Sequence, residues 1–309
     1  MTKTELISEI KRLKKEKNAV LLAHYYEPAE IQAIADLLGD SLQLSREAGE
    51  TDADIIVFCG VRFMAETASI ISPEKKVLLP VPEAGCTLAE GITGADIRKW
   101  KSENPTGLVV SYVNTTAEVK AETDYCVTSS NALDIVRQLP QDRPLLFGPD
   151  RNLGHYIRSV TGREMDIWDA CCYVHDVITR EMVDHTLRTY PDADLLIHPE
   201  ATAAREADYL AHPRILFGST SAILSHPAKS WEPHTYCVGT EIGIMTELTR
   251  RYPQHTFIPM IADHPCEYMK LISLEDVHCA LRDEQYEVRV PAEIRERAIV
   301  PIRRMLEMS

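Results

Sequence analysis

One order of landmarks recurs three times along the chain, and that repeat constrains the fold more than any bulk property does. Each copy opens with a short apolar run that ends in a polar triplet. The runs are Ala19-Val20-Leu21-Leu22-Ala23 before His24-Tyr25-Tyr26, Gly107-Leu108-Val109-Val110-Ser111 before Tyr112-Val113-Asn114, and Ala193-Asp194-Leu195-Leu196-Ile197 before His198-Pro199-Glu200. An Ala/Glu-rich helical stretch follows, then a hydroxyl cluster: Gly39-Asp40-Ser41, Thr128-Ser129-Ser130 and Gly218-Ser219-Thr220. The interval is 17 residues from 24 to 41 and from 112 to 129, and 22 from 198 to 220. A second helix leads to a strand that ends near Gly60, Gly148 or Gly239. A third helix and strand then reach Cys86, Cys172 or Cys266, which lie 26, 24 and 27 residues past those glycines.

Short apolar, β-branched runs alternating with helical stretches predict buried parallel strands in an α/β fold. The expected architecture is three pseudo-symmetric α/β domains, each a small parallel sheet flanked by helices, around a central site. The boundaries fall at 1–82 with 285–309, 83–168 and 169–284. The strand-like run Tyr286-Glu287-Val288-Arg289-Val290 and the helix after Pro291 are expected to return to the first unit. Ligands of open α/β sheets sit beyond the carboxyl ends of the strands. All three triplets occupy that place, so triplets and cysteines are expected to face one cavity.

Eight cysteines need an explanation, and the compartment supplies part of it. The N-terminus is polar, with no signal-peptide core, and no apolar run approaches the roughly 18 residues of a membrane span. A cytoplasmic setting keeps thiols reduced, so disulfides are not expected. Cys86, Cys172 and Cys266 stand apart because they hold one repeat position. Three thiolates suit either a catalytic zinc with an open position or an iron–sulfur cluster with one iron lacking a protein ligand. Cys59, Cys126, Cys237 and Cys279 read as structural. Cys171 is the rival to Cys172.

The net charge of −14 argues against nucleic acid, which demands a concentrated basic face. No Walker A loop, dinucleotide fingerprint or nucleophile elbow is present. Ser41, Ser129 and Thr220 each begin a predicted helix, where a hydroxyl caps the helix and free N–H groups suit carboxylate or phosphate. His24, Tyr26, Tyr112, Asn114, His198 and Glu200 are hydrogen-bonding or titratable groups at strand ends. His175 falls three residues past Cys172.

These triplets, with Ala84-Gly85-Cys86, Asn131-Ala132, Cys172-Tyr173-Val174-His175 and Cys266-Glu267-Tyr268-Met269-Lys270, appear in the order found in the quinolinate synthase family. The sequence resembles that family from about residue 18 to about 272. It departs at Trp168-Asp169-Ala170-Cys171-Cys172, where Ala170 replaces the usual glycine. The resemblance implies a [4Fe-4S] cluster on Cys86, Cys172 and Cys266. It implies a pocket lined by His24, Ser41, Tyr112, Val113, Asn114, Ser129, His198, Pro199, Glu200 and Thr220. Tyr26 and Glu200 would transfer protons, with His198 assisting. The implied reaction condenses iminosuccinate with dihydroxyacetone phosphate to quinolinate, phosphate and two waters in NAD biosynthesis. L-aspartate oxidase or aspartate dehydrogenase would supply the iminosuccinate. A cluster-dependent hydro-lyase and a non-catalytic metal sensor are the competing readings.

Overall fold

The computed structural model describes residues 1–309. It contains three four-stranded parallel sheets. The first comprises β1 (Ala19–His24), β2 (Leu37–Gly39), β3 (Ile55–Cys59) and β4 (Lys76–Leu78). The second comprises β5 (Leu108–Tyr112), β6 (Tyr125–Val127), β7 (Leu145–Gly148) and β8 (Asp166–Ile167). The third comprises β9 (Asp194–Ile197), β10 (Ile215–Phe217), β11 (Thr235–Gly239) and β12 (Thr256–Pro259). Their orders are β2-β1-β3-β4, β6-β5-β7-β8 and β10-β9-β11-β12, one topology written three times. The expected three-domain α/β architecture is therefore present.

Each sheet carries one strand more than the repeat predicts. β2, β6 and β10 are three residues long and sit just before the hydroxyl clusters. Their pairing is in phase: Leu22 opposite Leu37, Val110 opposite Tyr125, Leu195 opposite Ile215. Runs this short carry no readable period, and only the neighbouring strand makes them extended.

β3, β5 and β7 are buried at every position, as sheets covered on both faces require. The largest apolar cluster takes Leu22 and Phe58 from the first unit, Val110 and Phe147 from the second, and Leu196 and Val238 from the third. The three units thus share one core. At the C-terminus the expected strand is reduced to an antiparallel bridge, Leu78 with Glu287. The amide of Val288 donates to Val77 O at 2.8 Å, and that of Leu79 to Tyr286 O at 3.1 Å. The final helix, Ala292–Glu307, packs against the helix Ala117–Glu122 and β6 as well as the helix Arg62–Ile71. No helix is long and apolar enough to cross a membrane.

The first and third units meet closely at Gly243. A Cβ there would stand 2.6 Å from Tyr26 O and 2.7 Å from Tyr26 Cα, backbone that cannot rotate aside. Nearby, Gln32 Nε2 donates to Gly243 O at 3.0 Å and to Tyr25 O at 2.9 Å. Gly243→Ala is expected to cost about 1–3 kcal/mol, the usual penalty of overpacking. Denaturant unfolding checks this, and an unchanged midpoint would refute the tight approach.

Candidate active site

The carboxyl ends of β1, β5 and β9 converge on one cavity lined by residues of all three units. His24 and Tyr26, Tyr112 and Asn114, and His198 and Glu200 line it, one pair from each unit. Ser41, Ser129 and Thr220 line it too, as do Cys86, Cys172 and Cys266. Two residues named from the sequence, Val113 and Pro199, are not on its wall. Val113 is packed in the core, and its amide donates to Val127 O at 2.8 Å. Pro199 is buried between His198 and Glu200.

The hydroxyls do not cap their helices as the sequence suggests. Asp40 caps the helix Ser41–Glu50, its carboxylate accepting from the amides of Leu42 and Gln43 at 3.1 and 3.0 Å. Ser219 caps the helix Thr220–Ser225. Ser129 precedes Asn131, which occupies the cap position of the helix Ala132–Gln138. Ser41 and Thr220 are therefore first-turn residues, relieved of capping and left to face the cavity. Asp40 also joins the units: its second oxygen accepts from Ser130 Oγ at 3.2 Å and from Ser221 Oγ.

A chain of hydrogen bonds crosses the wall. Tyr26 Oη lies 2.9 Å from Thr220 Oγ1 and 2.7 Å from Thr240 Oγ1. Thr240 Oγ1 lies 2.8 Å from His175 Nε2, and His175 Nδ1 lies 2.9 Å from a Glu200 oxygen. A carboxylate cannot donate, so Nδ1 carries the proton and Nε2 accepts from Thr240. The sequence reading missed Thr240. Its signal was its place directly after the strand-ending Gly239. Asn152, also unforeseen, donates to Glu200 O at 2.8 Å.

His24 and His198 share one local arrangement. His24 Nδ1 accepts from the Tyr26 amide at 3.1 Å, and His198 Nδ1 accepts from the Glu200 amide at 3.4 Å. Each neutral ring therefore keeps its proton on Nε2, free for a ligand oxygen. Burial, reinforced by the Lys270 charge, pushes His24 down to about 3, and burial does the same to His198. For Glu200, burial opposes ionisation, but hydrogen bonds from the His175 ring N–H and the Tyr112 hydroxyl favour the carboxylate and hold it below the usual range. Burial pushes the phenols of Tyr26 and Tyr112 well up, so both remain protonated.

Burial also raises all three thiols, Cys86 to about 12. A positive metal centre reverses that logic by stabilising thiolate. Cys172 Sγ, a His175 nitrogen and a Glu200 oxygen lie within 4.8 Å of one another, close enough to hold one ion. Both nitrogens of His175 are already engaged, however. The three sulfurs form no such tight group, whereas a tetrahedral zinc needs sulfurs roughly 3.8 Å apart, from its 2.3 Å bonds. All three thiols line the one cavity, and thiolate is a ligand that both zinc and iron–sulfur clusters take. Cys171 is not on the cavity wall, which supports Cys172 over its neighbour.

Fold and site together define a class: a three-unit α/β protein with one shared cavity, rich in hydrogen-bond donors and open to three equivalent cysteines. The chain belongs to the family described as quinolinate synthetase A protein, whose pattern it matches over residues 8–307. It is 48% identical to the quinolinate synthase of Pyrobaculum aerophilum, over 98% of this chain and 100% of that protein. It is 48% identical to the quinolinate synthase of Thermus thermophilus, over 98% of this chain and 96% of that one. For the quinolinate synthase of Thermosynechococcus vestitus the identity is 44%, covering 99% and 96%.

The depressed His24 has a measurable consequence. Between about pH 6.5 and 3 the unfolded chain binds a proton there that the folded chain refuses, so stability falls on acidification through that window. Above pH 6.5 the group contributes no slope. Unfolding midpoints of His24→Asn are expected to fall less steeply between pH 7 and 4 than those of the parent. Equal slopes would show that His24 protonates freely in the folded chain.

Proposed function

We propose that this protein makes quinolinate from iminosuccinate and dihydroxyacetone phosphate, releasing phosphate and two waters, with a [4Fe-4S] cluster on Cys86, Cys172 and Cys266. The observation that carries the proposal is the meeting of three repeat-equivalent cysteines with His24, Tyr112 and His198 at one buried cavity. The family's name and the relatives' names support quinolinate as the product. The proposed setting is the cytoplasm, with iminosuccinate supplied by L-aspartate oxidase or aspartate dehydrogenase. We assign the units to 1–82 with 285–309, 83–168 and 169–284. The bridge from Glu287 to Leu78 supports the return to the first unit, although the last helix also covers the second.

The substrates bring two carboxylates and a phosphate. Neutral His24 and His198 offer Nε2–H groups, and Ser41, Ser129 and Asn114 offer further donors at the same cavity. Anions held by fixed donors rather than by cations suit a wall that already contains an ionised Glu200. Each step of ring formation moves a proton, which requires acids and bases held within hydrogen-bond reach. Tyr26, protonated through burial, is the acid. Behind it stand Thr240, His175 and Glu200, each donating to the next, with Glu200 holding His175 in the tautomer this requires. Glu200 is the base for carbon-bound protons, and His198, whose ring is stacked 4.5 Å from His175, orients the substrate beside it. When bound, a cluster on three cysteines supplies an open iron, a Lewis acid for a departing hydroxyl.

Strictly anaerobic purification is expected to give about four irons and four acid-labile sulfides per chain. Quinolinate should form from the two substrates, and Cys172→Ala should abolish both cluster and product. Stoichiometric zinc without sulfide after anaerobic reconstitution would refute the mechanism. Tyr26→Phe is expected to keep the cluster but lower kcat by about 10²–10⁴-fold, the usual worth of a general acid. Wild-type turnover in that variant would remove Tyr26 from the chemistry.

A further inference from the structure

Two fully buried carboxylates lie behind the cysteine loops without lining the cavity. Asp150 stands two residues beyond Gly148 at the end of β7. Its Oδ1 accepts from the Leu153 amide at 2.7 Å, capping the helix Arg151–Thr161, and its Oδ2 accepts from the Cys172 amide at 3.0 Å. Glu241 stands two residues beyond Gly239 at the end of β11. Its Oε1 accepts from the Cys266 amide at 3.3 Å and from Lys270 Nζ at 2.8 Å, while Oε2 accepts from the Gly243 amide at 2.6 Å. Two units thus place different acids at one position of the repeat, each against the amide of its own cysteine. A helix cap accounts for one oxygen of Asp150 and leaves the other unexplained.

The first unit breaks the pattern. The Arg62 amide donates to Ala84 O at 2.7 Å as the Arg151 amide donates to Ala170 O at 2.7 Å, which aligns Val61 with Asp150. Val61 has no acceptor to offer Cys86.

We propose that Asp150 and Glu241 are positioning residues that clamp the Cys172 and Cys266 loops by their backbone, leaving Cys86 as the compliant member of the three. The inference rests on the cluster reading above. The amide nitrogen shares its Cα with the side-chain arm, so fixing that N–H restricts where Sγ can stand. It also turns the amide away from any cluster sulfur, and hydrogen bonds to sulfur are one determinant of a cluster's potential. In the third unit the clamp reaches further, because Lys270 Nζ also donates to Tyr26 O and ties the Cys266 loop to the strand end that carries Tyr26.

The test uses Asp150→Asn and Glu241→Gln, which keep size and one acceptor oxygen; Asn also caps as well as Asp. Glu247→Gln is the control, a buried acid paired with Arg250 and Arg251 in the third unit. In the metal-free chain, residue-resolved amide exchange at Cys172 and Cys266 is expected to be slower than at Cys86. Asp150→Asn should speed exchange at Cys172 alone and Glu241→Gln at Cys266 alone, each by about tenfold or more. In the loaded protein, anaerobic release of iron to a chelator should accelerate by about 10–100-fold in both variants, the usual effect of removing a partner behind a metal ligand. The control should match the parent in both measurements. Unchanged exchange at both cysteines, or unchanged release in loaded variants, overturns the inference while the cluster reading stands. A parent protein without sulfide overturns the cluster reading instead, and the exchange rates still decide whether the carboxylates clamp the loops.

Discussion

Burying polar groups at the meeting point of three sheets is tolerable only if they satisfy one another, and most of this structure follows from that requirement. Tyr26 comes from the first unit, but its hydroxyl is satisfied by Thr220 and Thr240 of the third. Asn152, on the first helix turn after β7, reaches the Glu200 carbonyl. Asp40 gathers the hydroxyls of Ser130 and Ser221, one from each of the other units, onto one oxygen. The contacts that arrange the cavity are thus the contacts that join the units. Little in the cavity can change without being felt at a seam, which is why the tight approach of Gly243 to Tyr26 matters beyond packing.

The electrostatics follow from the same burial. An acidic protein with a net charge of −14 is a poor attractor of anions at long range. Within the cavity the balance is set by donors. Two histidines are kept neutral with their protons on Nε2, two phenols are kept protonated, and one carboxylate is kept ionised by the groups around it. Groups whose environments drive them apart in this way make natural acid and base pairs.

Much of this was legible in the repeat. The strand-end triplets, the hydroxyl clusters and the three cysteines declared their equivalence through spacing, and nearly all the residues they named share one wall. The failures have physical causes. β2, β6 and β10 escaped notice because three residues have no period. Ser41, Ser129 and Thr220 were expected to cap helices, but a neighbour took each cap position. Val113 and Pro199 were carried along with their triplets, although the chain turns as each strand ends and carries these middle residues off the wall. Thr240, Asp150 and Glu241 belong to the turn after the third strand of their units. Only the folded chain shows that this turn passes behind the cysteines.

The unlike pairs at the strand ends carry one further consequence. A cavity with true threefold symmetry would receive a compact ligand in three equal poses, and a reaction with distinct atoms would then proceed correctly in one of them. Here the equivalent positions hold His24, Tyr112 and His198 in one ring and Tyr26, Asn114 and Glu200 in the next. The backbone supplies the rotational frame, and the side chains abolish its degeneracy.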